Sequence, residues 1–401
     1  MLHLNDIKEP LAVAMWSFSY LQRRYRGEGF EDFDKALDGL LERGYNAVRI
    51  DVFPHMIALD PQGKRCDVYR VGSGEFRSLG LWNSLWSTEV NTREVVIEFI
   101  SKCQQRGIYV GLSTWFGAGR NEGFEPSEAY EPLESGARPR CERFEGLDEF
   151  VRAWDETLQF LKENDCLKTA IYVDLLNEYP YVHKFTWLTR MLATMREPSG
   201  YDYNDRQKSF YRQFINDAIE KLSARWPELD FFASQTQNAW GRNETDMDYS
   251  RFGLLDIHLW FVHHLEFAKE YFKHIDHMEN DIHWAEALKA MMEKWHANKD
   301  EYIGWADGKI QVMSEVAEKW KLPLGNTEGW GAIHWEDHPS LGWDWIKETG
   351  EIGATLGAKY GYAFNTTSDF CQPNFVGMWE DIEYHRRVTD IIRSARKRTW
   401  D

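Results

Sequence analysis

The chain has 401 residues, 43% of them apolar and 28% charged, enough to bury one large core. Its formal net charge of −18 repels phosphate backbones, and no basic block offsets it, so neither nucleic acid nor an anionic membrane is an expected partner. No stretch approaches a membrane span, and five scattered cysteines without a C-x-x-C pair (Cys66, Cys103, Cys141, Cys166, Cys371) argue against a zinc knuckle or a disulfide scaffold.

Along the chain, short apolar runs alternate with helical stripes. Residues 11–18 form the first predicted strand. Residues 31–43 place Phe33, Leu37, Leu40 and Leu41 on one helical face, and Gly44 stops that helix. The second strand is 47–51. A helix over 92–106, ended by Gly107, leads into the third at 108–116. The helix 148–163 precedes strand four at 170–177, and the helix 207–225 precedes strand five at 230–237. Strand six is 254–261. A long helical stretch from about 267 to 320 leads to strand seven at 322–327, and 343–359 leads to strand eight at 360–366. A helix over 380–397 closes the series. Eight strands with helices between them predict an α/β fold, a (β/α)8 TIM barrel spanning residues 1–401 as one domain. The strand-to-helix loops 52–91, 117–146, 179–204 and 238–251 are the long ones, and in this fold they build the functional face.

Two acidic residues stand at strand ends. Glu178 ends strand four, before Tyr179-Pro180, and Glu328 ends strand seven, before Gly329-Trp330-Gly331. A carboxylate buried there costs several kcal/mol unless partners compensate, so each calls for an explanation. One is a rim carboxylate paired with a nearby Arg or Lys. The other is chemistry: splitting a glycosidic bond takes one protonated carboxyl for the leaving group and one ionised carboxylate for the anomeric carbon, about 5 Å apart when configuration is retained. Both residues occurring together favours chemistry.

Asn177-Glu178 on strand four, Glu328 on strand seven, and Gly44-Tyr45-Asn46-Ala47-Val48-Arg49-Ile50 entering strand two resemble the clan of retaining (β/α)8 glycoside hydrolases. That clan includes cellulase-like, mannanase-like and β-galactosidase-like enzymes. The resemblance covers the whole chain as strand order and selects no single member. It implies that Glu178 is the acid/base and Glu328 the nucleophile, that Asn177 binds the sugar 2-hydroxyl, and that Arg49 sits beneath the nucleophile. Arg49 should then hold Glu328 ionised while Glu178 keeps its proton. A carbohydrate substrate and no metal or other cofactor are implied. Two departures stand out. His258 matches the clan's His-x-Tyr on strand six, but Trp260 replaces the Tyr. Strand eight ends Phe364-Asn365-Thr366-Thr367 and lacks the Trp that floors the cleaved-sugar subsite, which leaves Trp16, Trp330 or Trp379 for that role.

Other residues carry two readings. Asp51 and His55 bind hydroxyls of the terminal sugar, or Asp51 stabilises a turn. Trp115 and, past strand five, Asn238 and Trp240 line the pocket or pack as core. Trp82, Trp86, Trp335 and Trp343 form outer subsites or shield loops. Nineteen tryptophans pave a cleft suited to sugar faces, or furnish a large core with amphipathic rims. His263, His264, His274 and His277 lack strand-end spacing for a metal and read as a solvated helical face. The rival functions are a metal-dependent sugar isomerase or epimerase using Glu178, His258 and Glu328, and a non-catalytic carbohydrate-binding barrel. The polar first ten residues lack a secretory pattern, so a cytoplasmic location is expected, and with it β-linked glycosides or short oligosaccharides as substrate.

Overall fold

The computed structural model describes residues 3–71, 88–117, 124–126, 140–181, 185–196, 203–236, 245–269, 281–333 and 335–400. Its barrel strands are Leu11–Ser17 (β1), Ala47–Asp51 (β2), Tyr109–Ser113 (β3), Ala170–Asp174 (β4), Phe231–Phe232 continuing as Gln235–Thr236 (β5), Leu255–His258 (β6), Leu324–Asn326 (β7) and Phe364–Thr366 (β8). All neighbouring strands pair in parallel. The predicted fifth strand is the irregular one. Its first piece pairs with β4 and its second with β6, so the sheet closes on itself through this break, and Ser234 between the pieces is released to turn toward the barrel mouth.

The helices follow the predicted stripes: Phe33–Glu42 (α1), Thr92–Gln105 (α2), Gly146–Glu163 (α3), Asp205–Arg225 (α4), Asp281–Trp320 (α5), Asp344–Lys359 (α6) and Ile382–Ser394 (α7). Asp32 caps α1 by accepting the N–H groups of Asp34 and Lys35, and Asn204 with Gln207 forms a capping box on α4. Gly44 and Gly107 take positive φ (85° and 68°) behind α1 and α2, the left-handed exits that their positions predicted. The stretch expected to be one helix from about 267 is broken: 265–269 are helical, α5 begins at Asp281, and Asn298 interrupts it with non-helical angles.

Two connections expected to be plain loops carry strands. Val68–Val71 pairs antiparallel with Thr88–Asn91 and with Phe124–Pro126, an outer sheet built from the segments that follow β2 and β3. Inside the barrel, the rings of Tyr172, Phe232 and Phe364 meet at centroid distances of 5.3 and 5.8 Å. Gly111 and Gly325 make room for them: a Cβ at Gly111 would lie 2.3 Å from the Tyr172 ring, and one at Gly325 2.4 Å from the Phe364 ring. Large rings opposite glycines fill the barrel interior, leaving the next inward positions to carry polar groups. No helix among the described residues is long and apolar enough to cross a membrane.

Candidate active site

Inward positions alternate along each strand, so the residue two beyond an interior ring also faces inward. On β4 that places Asp174 above Tyr172, and on β2 it turns Arg49 to the axis. Arg49 is fully buried. One guanidinium nitrogen donates to Glu328 Oε2 (3.2 Å) and Ser17 Oγ (3.3 Å); the other donates to Ser113 Oγ (3.1 Å), Asp174 Oδ2 (3.4 Å) and Asn177 Oδ1. Burial opposes its charge, but Glu328, Asp174 and Asp256 outweigh it and hold the guanidinium above its ordinary pKa. Arg49 thus joins the strand-four and strand-seven sides.

Glu178 has φ +51°, a left-handed conformation that a non-glycine residue holds at a cost of about 1–2 kcal/mol. Ser234 Oγ accepts its N–H at 3.0 Å and itself donates to Asp174 Oδ2 at 2.9 Å, so the gap in β5 fixes the turn that aims Glu178. Phe53 and Phe116, just past β2 and β3, are left-handed as well (φ 51° and 54°), so the barrel rim is bent at successive strand ends.

His258, at the end of β6, links the carboxyls. Its Nδ1 lies 3.3 Å from Glu178 Oε1 and 3.5 Å from Glu328 Oε2, and its Nε2 lies 3.5 Å from Asp256 Oδ2. Asp256 is held in turn by the Thr327 N–H (2.9 Å) and hydroxyl (2.5 Å). Burial disfavours a charged ring, yet Glu328, Asp256 and Glu178 together raise its pKa well above the ordinary histidine value. A carboxylate oxygen of each Glu and a ring nitrogen of His258 all lie within 4.8 Å of one another. Glu178 is 6% exposed and Glu328 3%.

Burial first, then Glu178, push the Glu328 carboxyl up to about 7, against the pull of His258 and Arg49. Arg49 touches Glu328 as expected, but it does not hold this carboxyl at its ordinary value, because desolvation and a second carboxyl close by weigh more.

The structure brings Glu178, Glu328, Asn177, Arg49 and His258 together. It separates others from them. Asp51 holds a turn: its two oxygens accept the N–H groups of Phe53 (2.7 Å) and Trp115 (2.9 Å), and burial pushes its carboxyl up to about 7. His55 is buried against Phe116, and burial lowers its pKa to about 3, so its ring is neutral. Trp16 is no subsite floor. Its ring packs on Phe30, Phe99 and Trp379 in the helical layer, and its indole N–H donates to Cys371 O (2.8 Å). Trp330 likewise faces outward, onto Gly353 of α6, and donates to Thr366 O (3.1 Å). Trp379 lies under the Arg43 guanidinium, 4.0 Å from its ring, away from the mouth. Trp115 and Trp260 are buried just past β3 and β6. His264 packs on Tyr302 and Trp305 instead of facing solvent. Asn238, Trp240, Trp82, Trp86, His274 and His277 lie outside the described residues.

Sequence reasoning passed over Asp174, Asp256, Ser113, Ser234, Thr327 and Asp369. Two had a signal: Asp174 in AIYVDLLN and Asp256 in LLDIHLWF are acids inside otherwise apolar strands, which only an inward polar cluster accommodates. The serines and Thr327 had none.

A family model described as cellulase-like, sugar-binding cellulase-like, matches residues 13–393. Among solved structures, a Parabacteroides distasonis protein provisionally assigned as a glycoside hydrolase is similar, with a TM-score of 0.80 and 29% identity over 98% of this chain and 96% of that one. A hyperthermostable endocellulase is 12% identical, with a TM-score of 0.50 over 95% of this chain and 93% of that one, a likeness of fold. No curated protein matches the sequence. The resemblance to (β/α)8 glycoside hydrolases, without any one member, therefore stands.

Proposed function

We propose that this chain, which belongs to the sugar-binding cellulase-like family, is a retaining glycoside hydrolase with Glu178 as general acid/base and Glu328 as nucleophile. The observation that carries this reading is the separation of the two carboxyls, with oxygens within 4.8 Å across the mouth. Retaining enzymes hold their pair about 5 Å apart, whereas inverting ones leave roughly 6.5–9.5 Å for a water.

In the first step Glu328 attacks the anomeric carbon and forms a glycosyl ester, while Glu178 gives its proton to the departing oxygen. In the second, Glu178 takes a proton from water, the water oxygen bonds to the anomeric carbon, and the Glu328 carboxylate leaves. Arg49 and His258 steady the negative charge on Glu328 before it attacks and as it leaves. Asn177 Nδ2, buried and without a partner among the described residues, is free to donate to the sugar 2-hydroxyl. β-Linked glycosides or short oligosaccharides are the proposed substrates, with residues 1–401 acting as one catalytic domain in the cytoplasm.

The test is Glu328→Ala on aryl β-glycosides. Turnover should vanish, added azide should restore it with an inverted glycosyl azide, and NMR should show retained configuration in the wild-type product. An inverted wild-type product sinks the reading. A second reading, a metal-dependent isomerase, draws on the same Glu178, His258 and Glu328 cluster, whose ligand atoms converge closely enough for an ion. The Arg49 guanidinium, 3.2 Å from Glu328, already sets a positive charge against that cluster, which favours hydrolysis. Activity abolished by a chelator and restored by a divalent cation would reverse the preference.

A further inference from the structure

Most carboxyls around the site are satisfied. Asp174 accepts from Ser113, Ser234 and Arg49; Asp256 accepts from Thr327 and faces His258; Asp51 accepts two backbone N–H groups. Asp369 is the exception. It follows β8, is fully buried, and lies beside the nucleophile: Gly329 N–H donates to its Oδ1 (2.8 Å) and its own N–H donates to Gly329 O (3.0 Å). That reciprocal clamp fixes the side chain and commits Oδ1. Oδ2 stays buried and has no hydrogen-bond partner among the described residues. A buried polar atom left unpaired is rare enough in folded proteins to need a reason.

Asn177 Nδ2, beside Glu178, is likewise buried and without a partner among the described residues. It belongs to the β4 side with Glu178, Asp369 to the β8 side next to the strand that carries Glu328, and in an eight-stranded barrel β4 and β8 are opposite walls. A ring bearing hydroxyls on several carbons pairs with both walls at once. Burial and then Glu328 push the Asp369 carboxyl well above its ordinary range, against the Gly329 N–H, His258 and Arg49.

Resting on the glycosidase reading, we infer that Asp369 is a substrate-binding residue whose Oδ2 hydrogen-bonds one hydroxyl of the sugar ring held over Glu328, on the wall opposite Asn177. It recognises a neutral, polyhydroxylated ring by one defined hydroxyl and takes no part in bond breaking.

The experiment measures kcat/KM for the wild type, Asp369→Ala and Asp369→Asn on an aryl glycoside and its monodeoxy analogues. Asp369→Ala should lower kcat/KM about 10- to 100-fold on the parent and most analogues, because a buried hydrogen bond to the substrate is lost. On the one analogue lacking the contacted hydroxyl, the loss should shrink to about threefold or less. Asp369→Asn keeps both an acceptor for Gly329 and a donor toward the sugar, so it should stay within roughly threefold of wild type. Comparing substrates within one preparation removes any difference in the amount of folded protein, and Asp369→Ser carries the same comparison if the alanine variant does not accumulate. A loss spread evenly over all analogues, or an asparagine variant as poor as alanine, overturns the assignment and reduces Asp369 to a clamp for Gly329. No turnover of any glycoside by the wild type would instead defeat the hydrolase reading itself.

Discussion

Replacing Arg49 with methionine removes the one guanidinium that contacts Glu328 (3.2 Å) and Asp174 (3.4 Å) together, and both acids are buried. Stripping the cation from a buried ion pair typically costs about 3–5 kcal/mol, because the remaining charge is left uncompensated. With an unfolding entropy of roughly 2 cal/mol/K per residue, a chain of 401 residues loses about 1 °C of Tm per kcal/mol, so Tm should fall by about 4–6 °C. Activity should suffer more. Asn177 Oδ1 and Glu328 Oε2 both lose the donor that positions them, and a displacement of about 1 Å at reacting groups is worth about 100-fold in rate. Arg49→Lys keeps the charge but lacks the second arm of the fork, so it serves Glu328 and Ser17 or Asp174 and Asn177, not both sets. It should lie between, with a Tm loss of roughly 2–4 °C. Calorimetry and kcat/KM on nitrophenyl glycosides read both effects. A methionine variant with unchanged Tm and activity would refute the claim that Arg49 ties the two sides of the site together.

Glu178→Ala should reduce kcat/KM on aryl glycosides with good leaving groups far less than on natural disaccharides, by about 100-fold or more in the difference, since an activated phenolate departs without a proton; equal losses on both would remove Glu178 from the acid role. The pH profile should fall on the acidic side near 7. The sign follows from the raised Glu328 value: below about 7 its carboxyl holds a proton and cannot attack, and it ionises as pH rises through that point. A kcat/KM flat from pH 6 to about 9 would contradict this. Trp16→Phe should cost about 1–3 kcal/mol of stability through the lost bond to Cys371 O and lost packing, while KM stays within roughly twofold. A large rise in KM with Tm unchanged would return Trp16 to the subsite.

The strand series, the helix caps at Gly44 and Gly107, and the pairing of Glu178 with Glu328 were all readable from residue order, because each rests on a local rule: an apolar run, a period of 3.6, a glycine where φ turns positive, an acid at a strand end. The outer sheet at Val68–Val71 escaped that reading, since its strands are separated by stretches far longer than a hairpin turn. The tryptophans misled for a related reason. Trp16 and Trp330 sit at or beside strand ends, where either a cleft or the helical layer can take the ring, and only the packing of α2 and α6 against the barrel assigns them to the layer.

What residue order determined by itself was the closed barrel and the two acids at its mouth, because alternation and strand-end position are properties of neighbours in the chain. What the folded molecule alone decided was electrostatic. Arg49, Asp174, Asp369 and the β6 pair Asp256 and His258 come from four different strands or strand ends and are buried together, and the pKa of Arg49, Asp174, His258 and Asp369 is shifted by the charges around each. Coulomb energy depends on separation in space and on the exclusion of water, and neither is written in the spacing of residues along a chain.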